Sequence, residues 1–159
     1  MKQKELPEAG LVRKTFTLRV MDLPPNIKLT KRSLLRWFAL SFGLLSEKES
    51  RTTVLDVLDS LFYLTLAKKI EPTTLDIQKH IKDKTGKFIS EKLIRYHLNR
   101  LKGLDLLLRK KQRYSFNPCP TAERTDLKAS FNHYVSKPIT KNLTELEDVF
   151  LQLSQTYKK

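Results

Sequence analysis

Residues 90–116 read Ser90-Glu-Lys-Leu-Ile-Arg-Tyr-His-Leu-Asn-Arg-Leu-Lys-Gly-Leu-Asp-Leu-Leu-Leu-Arg-Lys-Lys-Gln-Arg-Tyr-Ser-Phe116, and this stretch decides the fold. Its first half places Ile94, Leu98 and Leu101 at i, i+4 and i+7, which is the spacing of one buried helical face. The flanking serine and glycine are typical of a helix start and a helix end, so the pattern predicts a helix over 91–102. The opposite face is polar and mostly basic, and it consists of Lys92, Arg95, Tyr96, Asn99, Arg100 and Lys102.

The second half of the stretch predicts a short β-hairpin. Leu106 and Leu108 share one side of a first strand, and Tyr114 and Phe116 share one side of a second. A basic tip lies between the two strands, and it consists of Arg109, Lys110, Lys111, Gln112 and Arg113.

Further helices are predicted before this stretch, over 53–69 and 74–84, because apolar residues recur there with helical spacing. Upstream of them, alternating residues predict a strand over 11–20, and a largely apolar segment predicts a buried helix over 31–45. The fold class is therefore mainly α with a small β component.

The C-terminal region predicts two more helices. Leu127, Phe131 and Tyr134 indicate a short one, which Pro138 is expected to end. Asn142 is then a candidate cap for the last helix. The apolar residues of that helix are spaced alternately by three and four, as in a coiled-coil seam, and they are Leu143, Leu146, Phe150, Leu153 and Tyr157.

The net charge is the strongest property of the whole composition. The 159 residues carry a formal charge of +14 and the pI is about 9.9. Between Lys84 and Tyr114 there are ten basic and two acidic side chains, so more than half of the excess lies in about a fifth of the chain. A surplus of this size favours a polyanionic partner, either nucleic acid or an anionic membrane surface.

Several other classes of protein are not favoured. Cys119 is the only cysteine, so an intrachain disulfide is excluded, and a cytoplasmic location is expected. No apolar run is long enough to span a membrane. The histidines lack partners at metal-binding spacing, and no motif of a nucleophile, a phosphate-binding loop or a zinc protease occurs. We therefore expect no enzyme activity, no metal and no cofactor. We interpret Asp56 and Asp59 as carboxylates that favour the start of the helix over 53–69.

The order of three helices and a basic hairpin resembles the winged helix-turn-helix transcription regulators of bacteria and archaea. The string His97-Leu98-Asn99-Arg100-Leu101-Lys102-Gly103-Leu104 is similar to the usual ending of their recognition helix. The resemblance implies a winged helix-turn-helix domain over 51–120. Residues 1–50, a strand and a buried helix, resemble an archaeal extension, and 121–159 form a C-terminal helical segment.

The resemblance implies that the basic helix over 91–102 reads duplex DNA and that the hairpin is a wing on the backbone. Arginine pairs with guanine and asparagine with adenine in the major groove, so Arg95 and Asn99 are candidate base-reading residues. The DNA-binding residues are expected to be Lys92, Arg95, Tyr96, Asn99, Arg100, Lys102, Arg109, Lys110, Lys111 and Arg113.

Two alternatives stay open at this point. Winged helices also serve as protein-interaction modules in transcription or RNA-processing assemblies, where a basic face is incidental. RNA binding is less favoured, because too few aromatic residues are available for a stacking platform. Residues 143–157 either pack on their own domain or form a homodimer with a second copy.

Overall fold

The computed structural model describes residues 4–48 and 51–159. The described chain is mostly helical with one two-stranded antiparallel sheet, which confirms the expected combination of mainly α and a small β component. The helices are α1 (Lys31–Ser41), α2 (Thr53–Phe62), α3 (Thr74–Thr85), α4 (Glu91–Gly103), α5 (Leu127–Phe131) and α6 (Lys137–Tyr157), and the strands are β1 (Leu107–Lys110) and β2 (Arg113–Phe116). Two short 3-10 turns span Pro7–Leu11 and Pro25–Leu29, and wider π-helical turns span Tyr63–Ala67 and Asn132–Ser136.

The core lies where α2, α3 and α4 meet. Helix α2 buries seven of its ten residues, and it packs against α1, α3 and α4. The predicted stripe of α4 is buried, with Ile94 and Leu98 fully inaccessible and Leu101 nearly so. Each such side chain contributes roughly 1.5–3 kcal/mol when it is removed from water. The stripe therefore holds α4 in place and determines which of its faces remains outside.

Local capping sets the boundaries of α3 and α4. The Thr73 hydroxyl accepts a hydrogen bond from the Asp76 amide, and the Asp76 carboxylate accepts one from the Thr73 amide. The Ser90 hydroxyl accepts one from the Leu93 amide in the same way at the start of α4. Gly86 ends α3 with φ at +75°, a left-handed conformation that glycine adopts without strain. These caps satisfy helix-end groups that would otherwise lack partners.

The hairpin has a tighter tip than expected. Leu107 pairs with Phe116 and Lys110 pairs with Arg113, which leaves only Lys111 and Gln112 in the turn. Both turn residues have positive φ, at 51° and 67°, as a two-residue type I′ turn requires. Glycine or asparagine usually occupies such positions. Lys111 and Gln112 have a Cβ that crowds the backbone at positive φ, so the backbone of this turn is strained.

Two contacts fix the hairpin against the helices. The Tyr114 amide donates to the Pro72 carbonyl at 2.8 Å, and the Tyr114 ring is completely buried. The Phe116 ring also meets the Phe62 ring of α2, with centroids 5.1 Å apart.

The predicted strand over 11–20 is wrong. The segment is extended, but it pairs with no other strand in the described chain. Its apolar residues Phe16, Leu18 and Val20 are exposed, whereas Arg19 is half-buried. The reason is tertiary: the Arg19 amide donates to the Ser41 carbonyl, and its guanidinium donates to the Leu40 and Leu45 carbonyls, so the segment binds the end of α1 and not another strand.

The predicted helix over 31–45 ends earlier, at Ser41. Gly43 turns the chain with φ at +65°, and a Cβ there would lie 2.8 Å from the Thr17 Cβ. The helix also buries less of its surface than its composition indicates, because Leu34 is exposed and Trp37 is only half-buried.

Pro138 does not end the helix that precedes it. Residues 127–157 form one helical run in which the π-helical turn of Asn132–Ser136 joins α5 to α6. Pro138 lies in the first turn of α6, where the missing N–H is tolerated, because the wider turn before it has already shifted the hydrogen bonding. Asn142 is therefore inside a helix and is not a cap.

The hairpin turn gives a stability prediction. We expect Gln112→Gly to raise the free energy of unfolding by about 0.5–1 kcal/mol, because glycine adopts positive φ without the steric cost. Thermal unfolding followed by circular dichroism measures the change. Ser115→Gly is the control, since it places glycine in a strand and should lower stability. If both variants shift stability in the same direction, the turn geometry is not as described.

Candidate nucleic-acid interface

The exposed face of α4 gathers four of the predicted contact residues. Lys92, Arg95, Tyr96 and Asn99 lie at i, i+3, i+4 and i+7, so they share one side of the helix, and all four are exposed. The Tyr96 ring has more than half of its surface accessible. This face therefore offers two cations, a carboxamide and a phenol outward from a helix whose other side is fixed in the core.

Helix α3 positions the N-terminal end of α4. The Gln78 side-chain amide donates to the Ile89 carbonyl at 2.9 Å, immediately before the Ser90 cap. The Thr74 hydroxyl donates to the Glu91 carboxylate at 2.7 Å. Because that carboxylate bonds to α3, its negative charge is drawn away from the exposed face of α4.

The second acidic side chain of the basic stretch is also engaged. Asp105 forms an ion pair with Lys14 of the N-terminal segment. Asp105 has φ at 61°, and its carbonyl accepts a hydrogen bond from the Asn117 side chain. Both carboxylates between residues 84 and 114 thus bind partners outside this stretch. Neither of them forms an ion pair with a basic side chain of the stretch itself.

Arg100 and Lys102 differ from the other predicted residues of α4, because both are half-buried. The Arg100 guanidinium donates to the Leu44 carbonyl at 2.9 Å and to the Gly43 carbonyl, in the turn that follows α1. It also lies over the Tyr96 ring, 5.7 Å from the ring centroid. Arg100 therefore connects α4 to the N-terminal part of the chain.

The hairpin brings together the four predicted basic residues that follow α4. Arg109, Lys110, Lys111 and Arg113 are all exposed, and β1 packs against α4. Two of the four have contacts within the chain: Arg113 donates to the Glu71 carbonyl at 2.9 Å, and Arg109 lies over the Tyr114 ring. Lys110 and Lys111 lie at the tip of the hairpin, and both are exposed.

Sequence reasoning missed a second cluster of charged side chains. Asp56 is buried in α2 and pairs with Arg32, beside Lys31 of α1 and Lys87 of the α3–α4 connection. The sequence did carry a signal for this cluster, because Asp56 is a charged residue between the apolar residues of a helix that is predicted to be buried. The helix-dipole interpretation accounts for its position near the helix start, but not for its burial.

The described residues also bear on metal binding, on the Cys119 thiol and on membrane insertion. No group of three or more His, Cys, Asp or Glu side chains is placed there to hold a metal. Hydrogen bonding from Thr121 lowers the pKa of the Cys119 thiol. Among the described residues, no helix is both long enough and apolar enough to cross a membrane.

The role of Arg100 leads to a prediction about stability. We expect Arg100→Ala to lower the free energy of unfolding by about 2 kcal/mol, because it removes two charge-assisted hydrogen bonds and leaves two carbonyls without a donor. Arg95→Ala, on the exposed face of the same helix, is the matched control and should change stability by less than about 0.5 kcal/mol. Urea unfolding measures both. Equal effects would show that Arg100 is not a structural link.

Comparisons with protein-family models, with curated proteins and with solved structures found no match to this chain.

Proposed function

We propose that this protein is a winged helix-turn-helix DNA-binding protein that regulates transcription in the cytoplasm. In this proposal α4 enters the major groove, and the hairpin of β1 and β2 is the wing that follows the phosphate backbone. The observation that carries the proposal is the exposed face of α4, where Lys92, Arg95, Tyr96 and Asn99 project from a helix that its buried stripe holds rigidly. Helix-turn-helix proteins read bases with the early turns of such a helix.

The chemistry of this face suits base reading as well as charge neutralisation. Arginine donates two hydrogen bonds to guanine, and asparagine exchanges two with adenine. A face that only neutralised phosphates would need no carboxamide. Lys92 lies on the same face in the first turn of α4, where a phosphate contact would fix the orientation of the helix on the duplex.

The placement of carboxylates supports the same proposal. Thr74 holds Glu91, and Lys14 pairs with Asp105, so neither acidic group opposes a phosphate. The tip lysines, Lys110 and Lys111, are exposed at the end of the hairpin. They fit a sequence-independent contact to the backbone, which strengthens binding on every duplex.

The exposed apolar seam of the C-terminal helix α6 is suited to pairing with the same helix of a second copy. Every residue from Thr140 to Lys159 is exposed, although five apolar residues of α6 form a seam there, and Phe150 is 77% accessible. The positions that flank the seam are mostly short and uncharged, and they are Thr140, Asn142, Glu147, Val149, Ser154 and Thr156. Two copies can therefore approach closely, since Glu147 is the only charged side chain at these flanking positions.

The charge of α6 argues against an anionic membrane as its partner. Residues 142–157 contain three carboxylates and no lysine or arginine. Helices that lie on anionic lipid carry basic residues on their polar face. We therefore include a homodimer through residues 143–157 in the proposal, since a two-fold dimer matches two half-sites on duplex DNA. The alternative function is an adaptor, in which this apolar seam binds a different protein and DNA is not a ligand.

Base reading is tested with a duplex selected from a random library. Arg95→Ala and Asn99→Ala should each weaken binding to the selected duplex by about 5–100-fold, because a bidentate base contact discriminates by roughly 1–3 kcal/mol. Binding to an unrelated duplex should fall much less. Lys110→Ala and Lys111→Ala should weaken binding to both duplexes equally. Each should reduce the slope of log affinity against log salt by about one in magnitude. Fluorescence anisotropy at several salt concentrations provides the affinities.

The control is Lys128→Ala, which removes one exposed charge from α5 and should leave both affinities within about twofold. With about six neutralised phosphates, log affinity should fall with log salt at a slope of about −5. Equal losses on both duplexes for Arg95→Ala would contradict base reading. Failure of the library to yield any preferred or salt-sensitive duplex would favour the adaptor.

The dimer is tested by analytical ultracentrifugation. The wild-type chain should sediment as a dimer at micromolar concentration, and Phe150→Glu should make it a monomer, because the carboxylate would lie in the apolar seam. Gln152→Glu is the matched control, since it adds the same charge on the far side of α6 and should leave the dimer intact. A wild-type chain that remains monomeric at about 100 μM would remove the dimer from the proposal.

A further inference from the structure

Three hydrogen bonds hold residues 19–27 along one side of α1. The helix supplies them from Ser33, Trp37 and Ser41, which are spaced by four residues and therefore share a stripe. The Ser33 hydroxyl donates to the Ile27 carbonyl, the Trp37 indole to the Asp22 carbonyl, and the Arg19 amide to the Ser41 carbonyl, with donor–acceptor distances of 2.6, 2.8 and 2.8 Å. This segment is therefore part of the folded surface and not a loose end.

Large apolar side chains project from this anchored surface into water. Val20 is fully exposed and Leu29 is 79% accessible, although hydrogen bonds fix the backbone around both. The exposed and half-buried members form a set that we call the N-terminal apolar patch, and they are Leu18, Val20, Leu23, Leu29, Leu34 and Trp37. An apolar patch with a polar rim usually marks a site for a protein partner or a membrane.

Positive charge surrounds the N-terminal apolar patch. Residues 11–36 contain seven basic side chains and one acidic side chain. Three of the basic side chains, Arg13, Lys28 and Arg36, are exposed and form no ion pair with a residue that the structure describes. Each of the three adjoins an apolar residue in the sequence. Two copies of this surface would repel each other, so its occupant must be both apolar and anionic.

The shape of the surface favours a bilayer over a peptide. A partner helix needs a groove, and the two clefts of the described chain beside Asp56 and Tyr96 are lined by other residues. A partner strand needs an unbroken row of N–H groups, which Pro24 and Pro25 interrupt. A bilayer needs neither, because projecting apolar side chains enter it one by one while basic side chains pair with its headgroups.

We propose that the N-terminal apolar patch binds reversibly to the surface of an anionic lipid bilayer. Leu18, Val20 and Leu29 enter the boundary between headgroups and acyl chains, and the three unpaired cations contact anionic headgroups. Trp37 lies at the level of the headgroups, as indole rings do at membrane interfaces. The proposal does not rest on DNA binding, because no residue of the patch belongs to α4 or to the hairpin.

The fluorescence of Trp37 tests the proposal directly, since it is the only tryptophan of the chain. The full chain is titrated with vesicles of phosphatidylcholine that contain about 30% phosphatidylglycerol. The emission should move to shorter wavelengths, and half of the chain should be bound at a lipid concentration below about 1 mM. Vesicles of phosphatidylcholine alone should bind at least about tenfold more weakly, because they carry no net charge.

Two double variants separate the apolar and the ionic contributions. Leu18→Ser with Val20→Ser should weaken vesicle binding at least about tenfold, because less apolar surface leaves water. Lys28→Ala with Arg36→Ala should weaken it about 20-fold, since each cation near an anionic surface contributes about fivefold. All four side chains are exposed, so both variants should keep the thermal stability of the wild type.

The matched controls change the same kinds of side chain elsewhere. Leu75→Ser removes an exposed leucine from α3, and Lys79→Ala with Lys128→Ala removes two exposed charges from α3 and α5. Each control should leave vesicle binding within about twofold of the wild type, because long-range effects of single charges are screened. Cosedimentation with the vesicles measures binding independently of fluorescence.

Four results would overturn the proposal. The first is the absence of binding to anionic vesicles, and the second is cosedimentation without a shift in Trp37 emission, because another basic surface would then hold the lipid. The third is vesicle binding that the patch variants and the controls change equally. The fourth is loss of the dimer or of duplex binding in the patch variants, since the patch would then be covered by α6 of a second copy or by DNA. Lipid binding that survives in Arg95→Ala separates this surface from the proposed DNA reading.

Discussion

Two arginine side chains hold the turn that follows α1, and the arrangement of the molecule depends on them. The Arg19 guanidinium donates to the Leu40 and Leu45 carbonyls at 2.7 and 2.8 Å, and Arg100 donates to the two carbonyls between them. Three of these four carbonyls lie beyond the end of α1, where no helical N–H is available to them, so they need donors from elsewhere in the chain. Here the donors come from the extended N-terminal segment and from α4. One turn thereby connects residues that are far apart in sequence, and it sets the position of α4 relative to α1.

The same arrangement organises the charge of the molecule. If acidic and basic groups were mixed on every surface, the net charge of +14 would not favour any one face of the molecule as a binding surface. Instead, the two carboxylates nearest to α4 bind Thr74 and Lys14, while the lysines and arginines of α4 and the hairpin are mostly outward. Burial of one helical stripe and engagement of two carboxylates together produce a face on which cations predominate. The proposed DNA binding depends on this separation of charge as much as on the number of basic residues.

Apolar surface that the described chain leaves uncovered distinguishes the two ends of this molecule from its centre. The seam of α6 and the row of Phe16, Leu18 and Val20 are both exposed, although each has the periodicity of a buried surface. Apolar periodicity indicates that a face can be buried, but it does not say against what. In α4 the partner lies in the same chain, whereas for α6 we propose a second copy.

The sequence by itself determined the helices of the core, their caps and the burial of Ile94, Leu98 and Leu101, because spacing and capping are local properties of the chain. It also located the basic side chains of α4 and the hairpin. Only the tertiary structure decided that residues 11–20 form no strand and bind the end of α1 through Arg19, that Pro138 lies inside a continuous helical run, and that Arg100 binds carbonyls more than fifty residues away. Each of these depends on hydrogen bonds and packing between residues that are far apart in sequence, and hydrophobic periodicity does not predict such contacts. The pairing of Asp56 with Arg32 was hidden for the same reason, since two separate helices supply the two side chains.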